Sequence, residues 1–426
     1  MWVTSSFSKG SFAIRPRTLG QVPAVLRRCS PKWRRLWRTW VCANGLGEPA
    51  QRLVFLGTPA EAQLVLARLA QATGQEPTAV AHPTPSLEPA TLRVQRVPFQ
   101  VVGVLAQPPS PQGRSKTLQP CPTHAYASDV LHVPVWTPER LSRDEAFLRF
   151  WEEELRPDLA ITAAYGQILP ERFLRVPRLG VLNIHPSLLP RYRGAAPVQR
   201  ALLDGVDRTG VSIVRTVLEL DAGPILCQEW VSVDEDIQAP ELLRLLFELG
   251  TQLLIERILS RPELGQASSS AELDALLGGA QEQDHSQATY ARKLEKHEGE
   301  LSFGETALFV HNRVRALVEW PGVWTELIIG PHPARPSEPV RRQRLKVLRT
   351  RLARREAGAA LGIHTVDLVG DAIRVTCDDG SQIDILELQL PGKRAQTARA
   401  FWNGLQGRAV ERPREPYPTV TRVPVN

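Results

Sequence analysis

Gly180-Val-Leu-Asn-Ile-His-Pro-Ser-Leu-Leu-Pro-Arg-Tyr-Arg-Gly-Ala-Ala-Pro-Val-Gln-Arg200 contains a short apolar run, Val181, Leu182 and Ile184, interrupted by two polar residues, Asn183 and His185. In an extended strand residues i and i+2 leave the same face, so the amide and the imidazole stand side by side. Pro186 has no N–H to give a neighbouring strand and stops the run. The pair is therefore expected at the C-terminal end of a strand, where open α/β sheets bind ligands. Polar groups inside an apolar strand cost stability unless they are satisfied, which favours a chemical role. A satisfied core histidine beside a turn asparagine is the competing reading.

The flanking sequence supplies the rest of a sheet. Leu53–Leu56 reads as a buried strand, followed by Gly57-Thr-Pro59 and an apolar 3.6-period helix over 60–72. This is the first unit of a Rossmann-type sheet, but G-x-G-x-x-G is missing, so no dinucleotide is indicated. Phe99–Ala106 and Leu159–Ala164 read as further buried strands, and the Pro- and Thr-rich stretch 73–97 as a surface insertion. Prolines and Gly113 forbid a helix over Gln107–Pro120, so Arg114 and Lys116 are expected on an irregular exposed loop. Such cations are either merely solvated or, beside a catalytic cleft, placed to grip phosphates. Downstream, Pro197 opens a helix ending near Gly205. Val211, Ile213 and Val217 share a strand face, Leu220-Asp-Ala-Gly-Pro224 turns the chain, and Ile225–Val233 pairs back antiparallel. An amphipathic helix over 240–259 closes the first domain near residue 265.

The stretch 266–288 is polar and reads as a linker. Beyond it, a short helix around His311–Leu317 precedes about five short strands punctuated by turn signals, as in a small barrel of the OB type. The expected architecture is thus α/β: a Rossmann-like domain with a mostly parallel sheet (51–265), a linker (266–288) and a small OB-like β-barrel domain (289–426). Between Arg335 and Arg355 lie nine Lys/Arg and one acid, Glu338. That stretch reads either as a strand face turned toward RNA or as an edge strand protected by charge.

Composition bounds the function. A hydrophobic share of 42% with 23% charged residues belongs to the soluble globular class, and no run approaches the roughly 18 apolar residues of a membrane helix. The net charge of +7 is misleading as a nucleic-acid signal. Residues 1–50 hold nine Lys/Arg against Glu48 alone, whereas the remainder holds 43 basic and 44 acidic residues. An Arg- and Ser-rich, acid-poor N-terminus without a secretory apolar core reads as an organellar transit peptide, mitochondrial or plastid. A basic RNA-binding arm is the alternative. Five scattered cysteines form no C-x-x-C pair, which argues against a zinc site and a disulfide framework.

Asn183, His185 and Asp221 converge on one sheet edge. Asn can donate to a developing oxyanion, His can exchange a proton near neutral pH, and Asp can hold the imidazole. With no nucleophile elbow and no metal cluster, direct acyl transfer between two bound substrates fits better than a covalent intermediate. These motifs resemble the signature of folate-dependent formyltransferases, nearest to the branch that formylates methionyl-tRNA. The resemblance spans nearly all of 52–406 and includes Phe55-Leu-Gly-Thr-Pro59, Gly113-Arg-Ser-Lys116, Ala164-Tyr-Gly-Gln-Ile-Leu-Pro170 and Leu388-Gln-Leu-Pro-Gly-Lys-Arg-Ala-Gln-Thr-Ala398.

The resemblance implies formyl transfer from 10-formyltetrahydrofolate, as co-substrate and without a metal, to the α-amino group of initiator methionyl-tRNA. It makes Asn183, His185 and Asp221 the catalytic trio. Ser187, Leu188, Leu189 and Pro190 become the folate-contacting loop, and Arg114 with Lys116 the loop that meets the tRNA acceptor end. It departs from bacterial members at Pro186 and Ser115, where Gly is common. The chain is expected to act as a monomer away from membranes. The alternatives are a related formyltransferase acting on a ribonucleotide or sugar amine, and a non-catalytic RNA-binding protein.

Overall fold

Residues Arg35, Trp37, 51–75, 96–112, 116–353 and 366–413 are described by the computed structural model. The rest of residues 1–50, where a transit peptide is expected, most of the 73–97 insertion, and Arg114 lie outside the described residues. The apolar runs form one sheet from β1 (Gln51–Gly57), β2 (Phe99–Leu105), β3 (Val135–Trp136), β4 (Leu159–Ala163), β5 (Val181–His185), β6 (Arg208–Arg215) and β7 (Ile225–Ser232). Their order is β7-β6-β5-β4-β1-β2-β3. The first five run parallel; β6 and β7 extend the sheet antiparallel. All five residues of β4 are buried, as expected for a parallel strand covered on both faces. The chain moves outward from β1 to β3, then returns to the opposite side of β1, so the topological switch falls between β1 and β4. Ligand crevices form at the carboxyl ends beside such a point.

Helices built from the 3.6-period stretches cover the sheet. Helix α1 (Ala60–Thr73) follows β1 and stops at left-handed Gly74. Helix α2 (Pro197–Asp204) has proline at its start and left-handed Gly205 at its end. Helix α3 (Ala239–Leu254) begins in a capping box between Gln238 and Glu241. It lies so close to β5 and β6 that a Cβ on Gly250 would sit 2.5 Å from Ile184 and 2.7 Å from Val211. Trp37 belongs to the core of this domain, buried, with the Arg52 guanidinium 5.9 Å from its ring centroid.

The stretch 266–288 is more than a linker. It carries a helix, Ser270–Leu276, and buries Ala267 and Leu273 in the first core. Gln281 then pairs with Ile225 of β7 through both backbone bonds, each 2.8 Å. Its polar composition concealed this, because four apolar residues, Ala267, Leu273, Leu276 and Leu277, are enough to dock so short a strap.

The second sheet is antiparallel throughout, formed by β8 (Val323–Ile329), β9 (Arg341–Leu352), β10 (Val366–Val369), β11 (Ala372–Thr376), β12 (Gln382–Gln389), β13 (Ala395–Thr397) and β14 (Val410–Glu411). Its order is β10-β11-β12-β9-β8-β14, with β13 also on β12. The outer strands β10 and β14 come into contact, so the sheet curls into a nearly closed barrel. Helix α4 (Ala307–Leu317) packs on β9. β9 is a central strand, which overturns the edge-strand reading of the basic stretch. Its burial alternates, with Leu345 and Val347 inside and Arg344 and Lys346 outside.

The two domains share apolar and polar contacts. Val198, Leu202, Leu242 and Leu246 lie in the same core as Val310, Val314 and the barrel strands. Arg200 holds buried Glu298 by two bonds of 2.5 and 2.9 Å. The His311 Nε2 donates to the Glu235 carbonyl at 2.7 Å, while Nδ1 accepts from Thr350 at 3.0 Å. Burial lowers the pKa of this imidazole and keeps it neutral at the interface.

Candidate active site

Asn183 and His185 emerge from the carboxyl end of β5, flanked by β4 and β6. Thr162 sits directly opposite Asn183 on β4 and donates its hydroxyl to the Asn183 Oδ1 at 2.8 Å. A hydroxyl can donate or accept, so it is the Asp221 carboxylate, which only accepts, that fixes the amide: Nδ2 faces Asp221 and Oδ1 is left to Thr162. Nδ2 lies 3.4 Å from the Asp221 Oδ1. One amide hydrogen is loosely engaged by the carboxylate and the second is available to a substrate oxygen.

The His185 ring is buried, and its Nε2 lies 3.0 Å from the Tyr192 carbonyl. A carbonyl only accepts, so Nε2 carries a proton in either charge state. Nδ1 is therefore the nitrogen that gains or gives up a proton. It faces the Asp221 Oδ2 at 3.8 Å, longer than a hydrogen bond, which leaves Nδ1 able to meet a substrate atom. Asp221 itself adopts a left-handed backbone, φ +49°, a conformation Asp tolerates better than most residues. Its Oδ2 accepts from the Gly194 amide at 2.9 Å.

The nearby hydroxyls are spent on structure. Thr162 donates to Asn183, and the Ser187 Oγ donates to the Arg191 carbonyl at 2.7 Å. Neither is left poised as a nucleophile, which supports direct transfer between two substrates. Among the described residues no group of three His, Cys, Asp or Glu is placed to hold a metal ion.

The loop Ser187–Pro190 is held from below by Ser212 of β6. The Ser212 hydroxyl donates to the Ser187 carbonyl at 2.6 Å and accepts from the Leu189 amide at 3.0 Å. Gln228 donates to the Leu189 carbonyl at 2.9 Å. Ser187 and Leu189 point inward and are buried, whereas Leu188 and Pro190 are half-buried. A ligand on this loop therefore meets backbone groups and the Leu188 and Pro190 side chains. Leu188 packs so tightly over Gly210 that a Cβ there would lie 2.6 Å from its Cδ2. A cleft of about 420 Å³ opens beside the loop, lined by Leu188, Arg191, Tyr192, Val206, Asp207 and Arg208.

The turn after β4 completes the edge. The Tyr165 carbonyl accepts from Thr58 at 3.0 Å and from Gln107 at 3.1 Å, tying β4 to the loops after β1 and β2. Gln167 in turn bonds Gln107 and the Leu141 amide. Gln107 and the residues of the Ala164–Pro170 motif thus lash three loops together. Instead of a wholly irregular loop, Ser110–Gln112 and Thr117–Gln119 pair as a short antiparallel hairpin. Lys116 is exposed at its turn with φ +52°. Arg114 lies outside the described residues.

Four contributors to the site went unrecognised in the sequence: Thr162, Arg193, Gly194 and Gln283. Thr162 had a signal, being the single polar residue in Leu159–Ala163. Arg193 is fully buried, and its guanidinium donates twice to the Gln283 Oε1, at 3.1 and 2.7 Å. Nothing in the local sequence marks an Arg of this loop as buried.

The formyl transferase family matches residues 87–258, and the formyl transferase C-terminal domain matches residues 293–406. Methionyl-tRNA formyltransferase of Caldicellulosiruptor saccharolyticus is 32% identical over 358 residues, covering 83% of this chain and 96% of that protein. The Caulobacter vibrioides methionyl-tRNA formyltransferase is 35% identical over 355 residues, with the same coverage of 83% and 96%. The Thermotoga maritima enzyme of that name is 45% identical over 226 residues, 53% of this chain and 67% of that one. With an aligned two-domain arrangement and substantial identity over nearly the whole of such relatives, the chain belongs to the methionyl-tRNA formyltransferase family.

Proposed function

We propose that this enzyme transfers the formyl group of 10-formyltetrahydrofolate to the α-amino group of initiator methionyl-tRNA, acting as a monomer in an organelle. The observation that carries the chemistry is the Asn183 amide, its oxygen engaged by Thr162 and its donor turned to the space beside Asp221 and His185. The amine attacks the formyl carbon and a C–N bond forms, placing negative charge on the former carbonyl oxygen. Asn183 Nδ2 and a proton on His185 Nδ1 stabilise that oxyanion. Asp221 accepts the proton lost by the amine. The bond from carbon to N10 then breaks, and N10 leaves with a proton relayed through the same pair. Exposed Ile168, Leu218 and Leu220 project from the two loops that carry Tyr165 and Asp221. Their unpartnered apolar surface suits a flat, partly apolar donor.

The test is an assay with charged initiator tRNA, labelled 10-formyltetrahydrofolate and the purified chain. Label on methionyl-tRNA supports the proposal. Label on a ribonucleotide or sugar amine, with none on methionyl-tRNA, favours the related enzymes.

The barrel contributes fewer free cations than its sequence suggests. Arg335, Arg342, Arg349 and Arg351 lie 3.4, 3.6, 3.1 and 3.2 Å from Glu338, Glu326, Glu241 and Asp384. Arg344 stacks on Trp324, its guanidinium carbon 3.6 Å from the ring centroid. Exposed Lys346 has no carboxylate partner among the described residues. Lys346→Ala is therefore expected to lower the slope of log K against log salt for tRNA binding by about 1. An unchanged slope would turn this barrel face away from RNA.

Burial of Trp37 bears on maturation. Cleavage after Trp37 would strip a large aromatic side chain from the first core. The mature N-terminus is expected to precede Trp37, and N-terminal sequencing of the imported protein checks this. A mature chain beginning beyond residue 37 would contradict it.

A further inference from the structure

We propose that Gln283, on the strap between the two domains, is a positioning residue for the catalytic pair Asp221 and His185. The inference rests on the formyl-transfer reading for its kinetic arm and on geometry alone for its spectroscopic arm.

The Gln283 side chain is buried, and its hydrogen-bonding groups serve the site. Its Nε2 donates to the Asp221 carbonyl at 2.8 Å and to the Gly223 carbonyl at 2.7 Å. Its Oε1 accepts both bonds from fully buried Arg193. Only an amide can do this, because the carbonyls require a donor and the guanidinium requires an acceptor. A carboxylate would serve Arg193 but set negative charge against two carbonyls.

What Gln283 holds is the one catalytic residue with an unfavourable backbone. Left-handed φ at Asp221 persists only where its surroundings over-determine it. Gln283 clamps the loop at Asp221 and again two residues later, and Gln281 pins the same strap to Ile225 just beyond.

The strap reaches the second half of the pair by a separate route. The Tyr192 amide donates to the Thr289 Oγ1 at 2.9 Å, the Arg193 amide to the Thr289 carbonyl at 2.8 Å, and the Ala195 amide to the Ala291 carbonyl at 2.9 Å. This short segment, Tyr192–Ala195, supplies the carbonyl on His185 Nε2 and the amide on Asp221 Oδ2. The 3.8 Å separation of His185 from Asp221 is thus set by a strap that continues directly into the barrel domain. Docking of the second domain and assembly of the catalytic pair become one event.

The experiment compares Gln283→Glu and Gln283→Met with the full-length wild type. The charged and titratable groups around the Asp221–His185 pair are Arg193, Glu219 and His285. Both variants should keep KM for tRNA and for folate while kcat falls on the order of 100-fold, the scale of a small misplacement of a catalytic group. The pH dependence of kcat should also move. Independently of any substrate, ¹⁵N-histidine NMR, with His185 assigned from its Asn replacement, should show a changed titration of His185 in both variants. Where Gln283→Met fails to fold, Gln283→Glu and Thr289→Ala provide the same readouts. An unaltered His185 titration would overturn the proposal, as would a kcat loss matched by the fraction unfolded. An altered titration without transfer to methionyl-tRNA in the wild type would uphold the positioning role and reject the substrate reading.

Discussion

Replacing Asn183 by alanine is expected to lower kcat about 100- to 1,000-fold, the effect of deleting one preorganised oxyanion donor. The loss should fall on turnover and spare donor binding. Asn183 contributes a hydrogen to charge that exists only in the transition state, whereas the donor's loop is held by Ser212 and Gln228. Folding should survive, since Asn183 is only half-buried and its deletion releases just the Thr162 hydroxyl and one loosely held oxygen of Asp221. Thr162→Val should reproduce part of the defect, because the amide oxygen loses its donor and the side chain is held less firmly beside Asp221. Steady-state kinetics with folate-binding titrations separate these effects. A rise in the donor's KM with kcat intact would show Asn183 to be a binding residue.

The largest loss of stability is expected from Asp384→Ala in the barrel. Asp384 faces Arg374 across β11 and β12, accepting from Nε at 2.8 Å and from a terminal nitrogen at 3.1 Å. Arg351 approaches the same carboxylate at 3.2 Å. Asp384 and Arg374 are both buried, so alanine would remove from the protein interior a carboxylate that accepts two bonds from that guanidinium. Breaking a buried pair in this way costs about 3–5 kcal/mol, far more than an exposed pair contributes. The transition midpoint in urea should fall accordingly. Because the barrel shares its core with α2 and α3, both domains should lose structure together. An unaltered midpoint would mean that Arg374 does not depend on Asp384.

Periodic apolar runs made most of this fold legible. The buried strands β1, β2, β4 and β5 and the antiparallel return of β6 and β7 follow from patterns of four to eight residues. Strands of two or three residues, β13 and β14, are too short to carry a period, so about five strands were expected where seven form among the described residues. Asn183 and His185 were legible because they break a local rule, two polar groups in an apolar strand, whereas Asp221 sits in an ordinary turn sequence and joined them through the family resemblance. The supports of the trio obey their local rules and so stay hidden. Gln283 lies in a polar stretch where glutamine is ordinary, and Arg193 sits between Tyr192 and Gly194 like any surface arginine. Contacts such as Gln283 to Asp221, 62 residues apart, exist only after folding. The basic stretch 335–355 shows the opposite failure, since a count of charges cannot reveal which of them are already paired.

The most direct measurement supplies equal concentrations of methionyl-tRNA and of a ribonucleotide amine to the mature enzyme, with limiting 10-formyltetrahydrofolate, and identifies the formylated product by mass spectrometry. N-formylmethionine on tRNA as the product, lost in Asn183→Ala, is the result expected of a trio built to transfer a formyl group to the aminoacyl end of a tRNA. Formyl groups on the small amine alone, or product formation undiminished by Asn183→Ala, would contradict it.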